Sequence, residues 1–189
     1  MLVLISGSGV VNDARAVTPQ SAPGQEEYSV YAALLKEMFM GKSNPHLVIN
    51  KYTAVQDFIG SNAKEILERL PPVTRETIED FKARNTQSSE LSDKFGLKVK
   101  ISFITDKEIK ELFEDHSEGH DGWKIFPQKY PGADAIITLS RAGFNADKSQ
   151  ALIFVGYGCG WLCGEGNYLL LVKKDGEWRV EKKSMVWIS

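Results

Sequence analysis

The last third of the chain limits most sharply what it can fold into. Ala135 to Ser140, Gln150 to Tyr157, Asn167 to Lys174 and Trp178 to Ile188 are apolar, β-branched or aromatic runs set apart by glycine-rich or polar stretches. Runs of this length and make-up, bounded in this way, read as consecutive strands. Asp175-Gly176 stands between the last two. A two-residue type I′ turn needs positive φ at both positions, which glycine adopts without strain. The spacing therefore predicts a meander of neighbouring antiparallel strands.

Upstream the period changes. Tyr28, Tyr31, Leu35 and Met38 or Phe39 recur at three and four residues, the spacing of a buried helical stripe. Glu26 and Glu27 suit the positive end of that helix, and Gly41 supplies a stop. Leu47 to Ile49 reads as a short buried strand. Asn62 with Glu65, and Thr74 before Ile78 and Phe81, mark two further helix starts, with Pro71-Pro72 ending the first of them. Leu97, Val99, Ile101 and Phe103 alternate with Lys98, Lys100 and Ser102, a strand with unlike faces. Thr105, three residues before Glu108, opens a helix that buries Ile109, Leu112 and Phe113. Helices first and strands last point to an α+β fold, N-terminal helices packed on a C-terminal antiparallel sheet. By element order this is similar to the cystatin-like or NTF2-like arrangement.

The chain has 189 residues, 42% of them hydrophobic, enough for one core. We read residues 25–189 as a single domain. Lys and Arg number 23 against 25 Asp and Glu, so no overall field favours nucleic acid or an anionic membrane. The apolar runs fall far short of the roughly 20 residues needed to span a bilayer, which predicts no transmembrane segment. Residues 1–24 lack periodicity and contain Gly7, Gly9, Pro19, Pro23 and Gly24, the composition of a mobile leader. Met1 to Ile5 is apolar and Ala14-Arg15-Ala16 has the small-residue look of a cleavage site. That is the remnant of a signal segment without its usual basic start, and a cytoplasmic N-terminus is the alternative.

Several residues are candidates for chemistry. The segment Gly156 to Gly166 is rich in glycine, but a phosphate cradle needs a following helix and a strand follows here. We read its glycines as serving a tight, twisted connection between strands. Within it, Cys159 and Cys163 are the only cysteines, and their spacing across a hairpin loop allows a disulfide. Two buried thiols are the other reading. His116 and His120 stand four apart beside Asp115, Glu118 and Asp121, a weak candidate metal site that the cysteines would complete as tetrahedral zinc. Gly119 and Gly122 argue instead for a loop. Trp123, Phe126 and Tyr130 form one apolar face, either a core anchor or a ligand platform. Arg141, at a strand end, is a candidate for a carboxylate or phosphate, or ties its own hairpin through Asp147. Trp161, between glycines at a loop tip, has few local partners to cover it.

Trp123 to Pro131, Ser140-Arg-Ala-Gly-Phe-Asn145, Gln150 to Val155, the Cys-Gly-Trp-Leu-Cys-Gly loop and the closing Trp187-Ile-Ser189 together resemble a set of uncharacterised bacterial proteins. The likeness covers residues 26–189. Many members of that set look exported or membrane-anchored, so the resemblance implies an exported protein, periplasmic or extracellular. It implies no activity and assigns no site residue. The expected function is a non-catalytic binding or interaction module for a small molecule or protein, presenting Arg141, Trp161 and Glu165, without a cofactor. The alternative is a small, zinc-assisted hydrolase.

Overall fold

The structure is a computed structural model that describes residues 21–41, 45–55, 63–114 and 120–189. The leader expected at residues 1–24 lies mostly outside the described residues. Helix α1 spans Gln25–Phe39, and strand β1 His46–Asn50. Helices α2 (Ala63–Arg69) and α3 (Arg75–Arg84) follow, then β2 (Lys100–Ile104), α4 (Asp106–Phe113) and α5 (Gly122–Lys129). The rest is strand: β3 (Ile136–Leu139), β4 (Gly143–Phe144), β5 (Gln150–Gly160), β6 (Cys163–Lys174) and β7 (Glu177–Ile188). Local chemistry sets several boundaries. Thr74 and Thr105 accept hydrogen bonds from the backbone of Thr77 and Glu108, capping α3 and α4. Asp175 and Gly176 turn β6 into β7 with φ of 54° and 81°, the two positive angles a type I′ turn requires.

The strands form one seven-stranded sheet in the order β2-β1-β3-β5-β6-β7, with β4 paired to β5. The sheet is mostly antiparallel, and the strands from the last third of the chain pair in that sense. Strands β5, β6 and β7 are antiparallel neighbours, and β3 joins β5 in the same sense. Strand β1, however, runs parallel to both β2 and β3. The physical reason is its burial: Val48 and Ile49 are fully covered on opposite faces, as suits a central parallel strand.

Alternation along the strands sorts the core into two layers. On one face Leu47, Ile49, Ile137, Ala151, Ile153, Val155, Leu169 and Leu171 meet the Tyr28, Tyr31, Leu34 and Leu35 stripe of α1. The other face carries two separate helical packs. Leu152, Phe154, Tyr168 and Leu170 lie under α2 and α3 through Ile66, Leu70, Ile78 and Phe81. Val48, Ile104 and Ile136 lie under α4 and α5 through Leu112, Phe126 and Tyr130. Gly143 lets α3 approach β4, because a Cβ there would lie 2.2 Å from the Phe81 backbone nitrogen.

Candidate functional site

The β5–β6 hairpin runs further than the sequence predicts, to Gly160 and Cys163. Its glycines therefore belong to the strands themselves, which corrects their reading as a connection. Register pairs Gly156 with Gly166 and Gly158 with Gly164, so one face of the hairpin is bare backbone. Indole rings border it. A Cβ on Gly166 would fall 2.2 Å from Trp187 Nε1, and one on Gly158 would rest 3.6 Å from Trp123 Cζ2.

Cys159 and Cys163 form a disulfide with Cα atoms 5.1 Å apart, inside the usual span for such a bond. The bridge closes the tip formed by Gly160, Trp161 and Leu162. Trp161 is 64% exposed and Leu162 is 90% exposed. Trp161 Nε1 donates to Asp121 Oδ1 at 3.3 Å, and its ring stands edge-on to Phe113. Ile188, in register with Glu165, is 69% exposed at the same end of the sheet.

The three expected binding residues are not brought together. Arg141 is 2% exposed and locked to Glu27, itself 3% exposed. Its Nε and Nη2 donate to the two Glu27 oxygens at 2.8 and 2.6 Å, and Nη1 donates to Ser21 O and Ser89 Oγ. Burial alone would disfavour the guanidinium charge, but the Glu27 carboxylate outweighs it and holds the Arg141 pKa above its ordinary value. A guanidinium so placed is a structural tie between α1 and the end of β3, to a different partner from the Asp147 named above. Glu165 faces the α1 side, accepting from Tyr157 Oη at 3.0 Å and paired with Lys183. The hydrogen bond from Lys183 is the main reason its carboxyl sits below the ordinary range, against partial burial. Only Trp161 is displayed to solvent.

Of the weak metal candidates, only His120 is among the described residues. His116 and Glu118 lie outside the described residues. His120 Nε2 is 2.8 Å from Leu112 O, and no group of three or more His, Cys, Asp or Glu is gathered among the described residues. With both sulfurs bonded to each other, a zinc site completed by Cys159 and Cys163 is not assembled. Trp123 and Phe126 lie on α5 and Tyr130 caps its end; Phe126 and Tyr130 are buried in the core and Trp123 reaches the glycine face.

A crevice that the sequence reading missed lies between the two helical packs. On the face under α4 and α5, two residues beyond Val48 and Ile136, come Asn50 and Thr138, joined by a hydrogen bond from Asn50 Nδ2 to Thr138 Oγ1. They stand at the carboxyl ends of parallel strands, where outgoing segments diverge and leave room for a ligand. A cavity of about 500 Å³ opens there, lined by Asn50, Tyr52, Ser88, Asp106 and Thr138. Thr138 also borders a second, apolar cavity of about 230 Å³ between Phe113, Trp123 and Trp187, floored by Gly156 and Gly158. The available signal was glycine at every second position, 156, 158 and 160, then 164 and 166, which strips side chains from one strand face. A larger concavity, about 770 Å³ among the described residues, lies between α1 and the β6–β7 turn. Its charged lining is Lys36, Glu37, Lys94, Glu177 and Arg179, long side chains at an open surface.

No helix among the described residues is long and apolar enough to cross a membrane. Comparison with known proteins adds no relative: no family model matches the chain, and neither a curated protein nor a solved structure matches it at a significant level.

Proposed function

We propose that the protein is a non-catalytic binding or interaction module that works outside the cytoplasm and docks a partner protein through the tip of the β5–β6 hairpin. The observation that carries this reading is the display of Trp161 and Leu162 on a loop closed by a disulfide. Large apolar side chains left in water cost free energy unless a partner covers them. A short covalent loop lowers the entropy lost when they are ordered in a complex. Trp is also the residue type most often found to dominate binding energy. The bridge supports an oxidising compartment, where such bonds persist. The hydrolase reading draws less support, because its two thiols are bonded to each other.

A random-peptide display library panned on the oxidised protein tests the reading. Selected peptides are expected to lose about 10-fold or more in affinity for Trp161→Ala. Peptides that bind wild type and Trp161→Ala equally, or none at all, would overturn it.

A further inference from the structure

We propose that the crevice between the two helical packs is a binding site for a small aromatic amine, whose ring enters the glycine-floored slot and whose amino group lies in the polar chamber. The proposal stands apart from the docking tip and uses none of its residues.

The apolar half is shaped for a flat group. Gly156 and Gly158 remove the side chains that would fill the floor, while Phe113 and Trp123 on one side and Trp187 on the other supply aromatic walls. A ring inserted there meets π faces and edges at little conformational cost, because the walls are already held. Trp123 packs on Phe113 at 4.8 Å and on Phe126 at 5.6 Å between ring centroids. Trp187 lies against Gly156, Gly164 and Gly166. The cavity of about 230 Å³ suits a one- or two-ring group, and with the adjoining chamber the site falls in the ~300–1,000 Å³ range of small-molecule pockets.

The polar half asks for a donor. Asn50 Oδ1 is buried and accepts no hydrogen bond among the described residues, while its Nδ2 is committed to Thr138. A buried amide oxygen normally has a partner, and because Asn50 lines the chamber a small turn of its side chain would present this acceptor to a ligand N–H. Asp106 is the one charged residue among the described residues lining the chamber, and no Lys or Arg lines it. An ammonium is therefore attracted and a carboxylate repelled. Oδ1 of Asn50 and the Asp106 carboxylate both accept, and neither requires deprotonation of the ligand.

Titration calorimetry with three indoles separates ring from head group: tryptamine, indole-3-ethanol and indole-3-acetate. Tryptamine is expected to bind about 10-fold or more tightly than indole-3-acetate, with the alcohol between them. Asp106→Asn should narrow the amine-to-acid ratio to about threefold or less. Gly158→Val, which fills the slot, should abolish tryptamine binding, and Gly158→Ala, whose Cβ makes only ordinary contacts, should weaken it. Leu162→Ala, at the 90% exposed tip, should leave it unchanged, so failure here and failure of the docking tip are read independently. Should Gly158→Val not fold, Asn50→Leu takes its place as the variant that must lose binding. Absence of tryptamine binding at millimolar concentration, equal binding of amine and acid by wild type, or retention of binding in the folded slot variant would each overturn the proposal.

Discussion

Changing Glu27 to Gln should destabilise the fold more than almost any other single polar substitution. The Glu27 carboxylate receives two guanidinium hydrogen bonds from Arg141, backbone hydrogen bonds from Ala142 at 3.2 Å and Gly24 at 3.3 Å, and has Arg84 Nη1 at 3.6 Å from Oε2. Gln keeps the size but removes the charge and one acceptor, leaving a guanidinium enclosed without its counter-ion. Breaking one side of a buried pair costs about 3–5 kcal/mol. For a domain of this length that corresponds to a loss of roughly 6–20 °C in Tm. The partner variant Arg141→Met should lose a similar amount, because it strands the carboxylate. The double variant Glu27→Met with Arg141→Met buries no charge, so it should be less destabilised than the sum of its parts by about 2 kcal/mol or more. It should not return fully to wild type, since the Gly24 and Ala142 amides and Ser89 Oγ lose partners. Urea unfolding followed by circular dichroism measures this, with wild type, Glu27→Met, Arg141→Met and the double variant forming a double-mutant cycle and Glu27→Gln measured beside them. Strict additivity, or a Glu27→Gln cost under about 1 kcal/mol, would refute the claim that the pair is a coupled, enclosed tie.

Three further outcomes are expected. Replacing Cys159 and Cys163 together by Ser should cost about 2 kcal/mol or less, since the bridge closes a very short loop, while the total tryptophan fluorescence anisotropy falls as Trp161 gains freedom; a large loss of Tm with unchanged anisotropy would contradict the local role assigned to the bond. Gly166→Ala should cost about 1–3 kcal/mol and shift tryptophan emission, because the added methyl meets the Trp187 indole at 2.2 Å, whereas Gly158→Ala should cost much less; equal effects in thermal melts would refute that geometry. Glu108 has its carboxyl drawn down to about 2, first by the Thr105 backbone N–H and then, against partial burial, by Lys129. A folded-state value below the ordinary 4.5 means stability present above about pH 4.5 and lost as pH falls towards 2. Glu108→Gln should flatten that acid limb in pH-dependent urea titrations, and an unaltered limb would count against it.

Local signals carried much of the fold. The stripe of Tyr28, Tyr31 and Leu35 does pack as the buried face of α1, Thr105 and Glu108 do cap α4, and Asp175-Gly176 does turn β6 into β7. These features rest on residues within a few positions of one another, where propensity and spacing act directly. Pairing between distant segments left no such trace. Leu47 to Ile49 reads as a buried strand, yet nothing local says that its neighbours are 100–104 and 136–139, or that they run parallel to it. Arg141 looked available because its partner stands in α1, 114 residues away in sequence. Charge pairing at that separation is a property of the packed core and leaves no spacing to read. The glycine alternation was legible in principle, but its purpose depended on Trp123 and Trp187 arriving from a helix and a strand elsewhere in the chain.

Amide hydrogen exchange by mass spectrometry, on the oxidised protein alone and saturated with a peptide selected on it, bears most directly on the docking function. Protection centred on residues 158–165 and on the start of α5 around Asp121 is the expected result, and it should vanish for Trp161→Ala. Protection in the groove between α1 and the β6–β7 turn, with the hairpin tip unchanged, would contradict the account.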